Sequence, residues 1–489
     1  MGNEKVTYAT MEHSTHRGAA LWLAAACVVA AAPAALAQTT TPAPAAPALI
    51  AQTAAPAPAA PPAGAPAPAA APAPAAADQP PPGFWIGGIH LSAQIEGGLT
   101  VNPSTPNSGV NYGRLFDDRA NQPMLNQVLL TANKPLDPKA SFDWGFKAQF
   151  MYGSDARYTH SLGIFDDIGN VGDTTPYGQR NQEDIVEANF LLHVPFPTDG
   201  GMDIKAGIYP TPLGYEYIDP SLNPFYSHSY IFNFTLPFKH TGVLTTTHVT
   251  PLVDIYAGID SGTNTTIGCC TADNNGAPGG IIGFGLNMMG GNLTLVVLDH
   301  MGPENPQNAL KPIGFNADAY MRYYNDAVLT WKATDALTFA TELSWVRDDF
   351  DGFYTSGKPA AANAYGIAGY MSYTLSDTVT FNARGEVLRD DNGFFVAAFP
   401  GNNDSARILA GYPVVSPLQF ANANTEAGKP MVLGEITLGF TFKPSLPAPV
   451  TGLLIRPEVR FDSALNGLHP YGNGNTASVT VASDFVLTF

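Results

Sequence analysis

Ser227-His228-Ser229 sets an imidazole between two hydroxyls, the residue types of an acyl-transfer nucleophile and its base. On an extended chain, neighbouring side chains point to opposite faces, so this spacing does not bring the three together. No Gly-x-Ser-x-Gly elbow and no His-Glu-x-x-His zinc helix occurs, and no glycine-rich loop links a strand to a helix for phosphate. The 10 histidines are scattered, with His13 and His16 close to the N-terminus. Cys269 and Cys270 are adjacent and can close only a strained ring, while Asp273 is the one metal-ligand candidate beside them. We read the cysteines as a local loop feature. No enzyme activity, cofactor or metal is expected.

A second set of chemistry-bearing residues is regular. Over 452–462, Arg456, Glu458, Arg460 and Asp462 oppose Leu453, Ile455, Val459 and Phe461; over 377–389, Asn382, Arg384 and Glu386 oppose Val379, Phe381, Ala383 and Val387. With Asp143, Lys147, Glu187, Glu342 and Glu435 they form a polar face of both signs. Such charges either pair across neighbouring strands or shape the field along an aqueous path. Glu187, Arg384, Glu386, Glu435, Arg456, Glu458 and Arg460 are therefore candidate pore-lining residues.

The elements that would carry them are strands. Alternating runs place sixteen near 88–100, 124–134, 141–152, 182–194, 201–209, 241–250, 252–260, 280–290, 291–299, 319–332, 336–347, 364–375, 377–389, 431–442, 452–462 and 478–489. The connections alternate between short ones (134–140, 195–200, 250–251) and long ones (101–123, 153–181, 210–240, 390–430). That rhythm belongs to an outer-membrane barrel with short periplasmic turns and long outer loops. The last strand puts Val479, Val481, Phe485, Leu487 and the terminal Phe489 on one face. A soluble sandwich would alternate too, but its apolar face would be hidden. The loop rhythm, the terminal Phe and the leader described next favour the all-β reading of a transmembrane antiparallel up-and-down barrel.

Arg17 precedes an apolar stretch, Ala19 to Ala32, and Ala35-Leu36-Ala37 offers a cleavage site, so residues 1–37 are expected to be a Sec signal peptide. Residues 38–82 are almost wholly Ala, Pro and Thr; they are expected to be a disordered tether reaching on the order of 140 Å. The tether would either touch the cell wall or serve as a passive spacer. Residues 83–489 form one barrel domain, whose charged residues are sparse: 13% of the chain, against about 25% in a soluble domain.

Setting aside Glu4, Glu12, Asp78, Lys5 and Arg17, the 41 acidic and 23 basic residues reduce to 38 and 21, a net of −17. Asp166, Asp167, Asp173, Asp348, Asp349, Asp351, Asp390 and Asp391 fall in expected outer loops. They would make a negative mouth or a solvated, divalent-bridged surface. Nucleic acid is not an expected partner.

The long connection after 201–209 is unusual. It runs Tyr209-Pro210-Thr211-Pro212-Leu213-Gly214-Tyr215-Glu216, then Ile218-Asp219-Pro220, then Asn223-Pro224-Phe225-Tyr226-Ser227-His228-Ser229-Tyr230, then Pro237-Phe238-Lys239-His240-Thr241-Gly242. With Asp254-Ile255-Tyr256-Ala257-Gly258-Ile259-Asp260-Ser261-Gly262 downstream, this block resembles the OmpL-like Putative beta-barrel porin-2 family. The resemblance implies an outer-membrane barrel with porin activity. Read from its residues, an aromatic, proline-braced connection either folds inward, with Tyr226, His228, Tyr230 and His240 lining the narrowest passage, or caps the rim or a protomer contact.

The expected function is a passive outer-membrane channel for small hydrophilic solutes or ions in a Gram-negative cell. The alternatives are a structural envelope protein with a loop-closed barrel and a substrate-specific channel. Expected partners are outer-membrane lipid, the barrel-assembly machinery through the strand ending at Phe489, and a second copy in a homo-oligomer.

Overall fold

Alternating polarity in these segments leaves each strand one face for lipid and one for the interior, and a sheet with two such faces is stable in a membrane only when its edges meet. The computed structural model describes residues 84–137, 140–165, 180–266, 275–305, 316–349, 361–396 and 429–489. The expected signal peptide and tether, Asp166, Asp167, Asp173, Asp351, Cys269, Cys270 and Asp273 lie outside the described residues.

A short strand, β1 (Phe84–Ile86), turns through Gly87-Gly88, both at positive φ, onto β2 (Ile89–Val101). There follow β3 (Pro123–Lys134), β4 (Asp143–Gly153), β5 (Gln182–Val194), β6 (Met202–Pro210), β7 (Lys239–Thr250), β8 (Val253–Thr263), β9 (Gly279–Met288) and β10 (Leu293–Gly302). The circuit continues with β11 (Arg322–Lys332), β12 (Leu337–Asp349), β13 (Ala361–Ser376), β14 (Val379–Asp390), β15 (Met431–Phe442), β16 (Gly452–Ala464) and β17 (Ala477–Thr488). Strands β2 to β17 pair antiparallel in chain order, and β17 pairs back onto β2, so sixteen strands close. At the seam Thr488 faces Gln94, and the Phe489 N–H donates to the Ala93 carbonyl at 2.9 Å. All sixteen expected strands are present with ends shifted by a few residues; β1 is an addition.

The outward face is apolar, as in Leu130, Ile282, Ile367, Ile436 and Val459. Rings meet across neighbouring strands near both ends: Trp144 stacks on Phe190 and Phe381 tilts against Phe440 toward the short turns, and Trp345 stacks on Tyr365 toward the long loops. Among the described residues no helix is long and apolar enough to cross a membrane; the barrel crosses with strands.

Four acids expected in outer loops belong to strand ends or lie beside them. Asp348 and Asp349 end β12, and Asp390 ends β14. Asp348 is buried against the Arg322 guanidinium. The buried Asp390 carboxylate accepts from the N–H groups of Asn392, Phe394, Phe395 and Val396. Asp349 and Asp391 pair with Arg347 and Arg389. These four do not form a free negative mouth, because each already has a cationic or N–H partner.

Candidate functional site: a loop docked inside the barrel

The connection 211–238 between β6 and β7 has no strand partner, so its backbone donors and acceptors must be satisfied in another way. Part of the solution is local. Asp219 accepts from Ser221 N–H at 3.0 Å and starts a 3-10 turn, Pro220–Leu222. Ser229 caps a short helix, Tyr230–Phe234, by accepting from Phe232 N–H at 3.0 Å. The Asn223 amide closes the intervening turn, accepting from Tyr217 N–H at 2.8 Å and donating to the Tyr217 carbonyl at 2.7 Å.

The barrel wall supplies the rest. Inward carboxylates accept from loop amides: Asp326 from Gly214, Glu342 from Tyr215, Glu458 from Tyr226 and Ser227, and Glu386 from Tyr230 and Ile231, at 2.6 to 3.3 Å. Inward guanidinium groups donate to loop carbonyls. Arg456 reaches Pro220 at 2.6 Å and Asn223 at 2.8 Å, Arg384 reaches Ser227 at 2.7 Å, and Arg460 reaches His228 at 2.6 Å. Gln127 and Asn382 donate to the carbonyls of Ile218 and Pro224. Partners on β3, β11, β12, β14 and β16 thus hold one segment whose two ends rise from β6 and β7. The loop crosses the barrel interior.

Local sheet irregularities aim these side chains. A bulge between β2 and β3 turns both Asn126 and Gln127 inward; Asn126 accepts from the Tyr226 hydroxyl at 3.0 Å. Gly98 on β2 lies under the Tyr226 ring, where a Cβ would sit 2.4 Å from Tyr226 Cζ, so only glycine lets the ring approach so closely. The Tyr230 hydroxyl donates to Asp462 at 2.6 Å and bonds Tyr471 at 2.9 Å.

The charges under the loop form chains. Arg384 bonds both Glu216 at 2.8 Å and Glu435 at 2.7 Å, with all three side chains at most 2% exposed. Arg460 pairs with Asp462 at 2.8 Å and lies 3.6 Å from Glu435, and Arg456 pairs with Asp484 and Glu96. Removing one partner of such a buried pair leaves an uncompensated charge, a cost of about 3–5 kcal/mol. Burial pushes the loop carboxyl of Glu216 up, yet Arg384 and His228 outweigh it and bring its pKa down to about 2.

A neighbouring connection completes the packing. Phe116, from 102–122, stands against His228, Phe232 and Phe238 with ring centres 4.8 to 5.8 Å apart. Arg114 fixes that connection by pairing with Asp117 at 2.5 Å and Asp462 at 3.3 Å.

Of the residues singled out from sequence, Tyr226, His228 and Tyr230 lie in the docked loop, buried. Arg384, Glu386, Glu435, Arg456, Glu458 and Arg460 are the wall beneath it, also buried. Glu187 stands apart on β5, paired with Lys147 at 2.5 Å. Lys147 and Asp203 on that side of the lumen keep 31% and 22% of their side chains exposed. His240 is fully buried on β7, bonded to Thr211 Oγ1 at 3.1 Å. Glu216, Asp326, Arg114 and Asp462 were not singled out as loop anchors. Glu216 was visible in the quoted block, but nothing in its spacing marks its partners.

The chain matches the family described as Putative beta-barrel porin-2, OmpL-like, over residues 88–489. No curated protein sequence matches it. Among solved structures it is similar to the outer membrane channel DcaP of Acinetobacter baumannii, at 11% identity over 83% of this chain and 100% of that one, with a TM-score of 0.45. It is also similar to the anion-selective porin from Comamonas acidovorans (9%, 82% and 99%, 0.45) and to outer-membrane expressed OmpT of Vibrio cholerae (11%, 82% and 97%, 0.43). Likeness this distant carries no information on solute or charge preference.

Proposed function

Because the chain belongs to the OmpL-like Putative beta-barrel porin-2 family, an outer-membrane channel family for small solutes, we propose that this barrel is a passive path whose width is set by the loop 211–238. Sixteen strands enclose an aqueous bore unless something occupies it. The observation that supports the reading is the ring of wall contacts to the loop, which would hold it as an obstruction in that bore. Solutes would move down their gradient through the space left beside the loop, past Lys147, Glu187, Asp203 and His193 on β4 to β6. In this reading Tyr226, His228 and Tyr230 form the body of the constriction. Arg384, Glu386, Glu435, Arg456, Glu458 and Arg460 fix its position from below.

Residues 1–37 would direct Sec export, residues 38–82 would tether or space the barrel, and the assembly machinery would read the strand ending at Phe489. A homo-oligomer in the outer-membrane lipid is compatible with this.

A second reading has its own support: Phe116, Phe232 and Phe238 from two loops join one buried apolar cluster, as they would in a closed structural barrel. Planar-bilayer recording of the purified full-length protein separates the two. A channel gives ohmic steps that do not saturate with solute. Folded protein that inserts and conducts nothing supports the closed barrel, and saturating, solute-blocked current supports a substrate-specific channel.

A further inference from the structure

Three strands bring two imidazoles and a carboxylate together at one buried point. His240 on β7, Asp260 on β8 and His300 on β10 are each 0% exposed in their side chains, and one ligand atom from each lies within 4.8 Å of the others. His300 Nε2 is 3.0 Å from Asp260 Oδ1, and His240 Nδ1 is 3.4 Å from Asp260 Oδ2. The second pair makes no hydrogen bond: both atoms are buried and lack a hydrogen-bond partner. A spacing of 3.4 Å is long for an N–H···O bond. It suits two ligands on one edge of a tetrahedron whose metal–ligand distances are about 2.0–2.1 Å.

The surroundings are those of ligands held for a metal. His240 has its other ring nitrogen engaged, which fixes its tautomer and ring direction, whereas His300 Nδ1 makes no hydrogen bond and has a carboxylate nearby. His240 Nε2 meets Thr211 Oγ1 at 3.1 Å, and His300 Nδ1 faces Glu304 Oε1 at 3.8 Å. Glu304 is itself held through Oε2 by the Thr263 N–H and hydroxyl, at 2.8 and 2.9 Å. The site also has room that only glycine provides, since a Cβ on Gly279 would stand 2.7 Å from Asp260 Oδ1 and 2.8 Å from His300 Nε2.

We propose that His240, Asp260 and His300 bind one divalent transition cation, zinc being the best match to two imidazoles and a carboxylate. Thr211 acts as the orienting partner of His240, Glu304 adds negative charge beside His300, and a water completes the four positions. This goes beyond the channel reading and does not depend on it. The consequence is mechanical. The ion would tie β7, β8 and β10 together next to Thr211, the first residue of the docked loop, whose N–H is already bonded to the Phe238 carbonyl at the loop's other end. A cation there would fix the stem from which the loop enters the barrel.

The test uses the untagged full-length protein, purified in detergent without chelator, with His300→Gln and Asp260→Asn beside it. Elemental analysis after gel filtration is expected to find about one zinc per chain in the wild type and more than tenfold less in either variant. Heat-dependent mobility on gels would confirm that each variant is folded. Cobalt added to the chelator-stripped wild type is expected to give the visible absorption of a tetrahedral site. Equal substoichiometric metal in wild type and folded variants would overturn the proposal. Should the variants fail to fold, a cobalt-treated wild type without that absorption would overturn it equally.

Discussion

Arg384 joins the loop to the wall through one planar group, donating from Nη1 to Glu216 and the Ser227 carbonyl and from Nε to Glu435. Its fork geometry is why a lysine would not serve: one ammonium cannot hold a carboxylate, a second carboxylate and a carbonyl in one plane. The acid behaviour of the loop follows from Glu216. Its carboxyl has a folded pKa of about 2 against an ordinary 4.5, so the folded state holds the ionised form more tightly than the unfolded one. The stabilisation, about 3 kcal/mol, is fully present above pH 4.5 and is lost as the pH falls through about 2. Urea unfolding in detergent is expected to show this loss between pH 4.5 and 2 in the wild type and not in Glu216→Gln. An identical acid slope in both proteins would show that Glu216 is not the group that titrates.

At the scale of elements, wall carboxylates do for the loop what a neighbouring strand does for a strand. The amides of Tyr226, Ser227, Tyr230 and Ile231 all donate to wall glutamates. Their hydrogen exchange is expected to be slow, at strand-like levels. Glu386→Gln should accelerate exchange at Tyr230 and Ile231 more than at Tyr226 and Ser227, and Glu458→Gln should do the reverse. Fast exchange at all four in the wild type would mean that the loop is not docked.

This division also explains what could be read in advance. The strands were legible because lipid on one side and polar interior on the other impose a period of two on residues such as Val459 and Glu458. The prolines and rings of 211–238 marked that connection as unusual but left open an inward fold or a cap on the rim. Its anchors were not legible, because Glu458 meets Tyr226 from 232 residues away and Glu386 meets Tyr230 from 156. His240, Asp260 and His300 lie on three strands, at intervals no local motif spans. Asp348 and Asp390 misled for a related reason: an acid at a strand end looks like a loop acid until its Arg322 or N–H partners are seen.

For the whole molecule, the seam between β17 and β2 removes the sheet's edges, and the apolar outward face requires hydrocarbon. The bore so formed is wide by its strand number, and in the proposed function its third long connection narrows it. Single-channel conductance in a planar bilayer reads that narrowing out. Residues 215–235 would be replaced by a short Gly-Ser turn and the variant compared with the wild type in the same salt. A several-fold larger unitary conductance in the loop-replaced barrel is expected. An unchanged conductance from a folded, inserted variant would show that the loop does not limit the path.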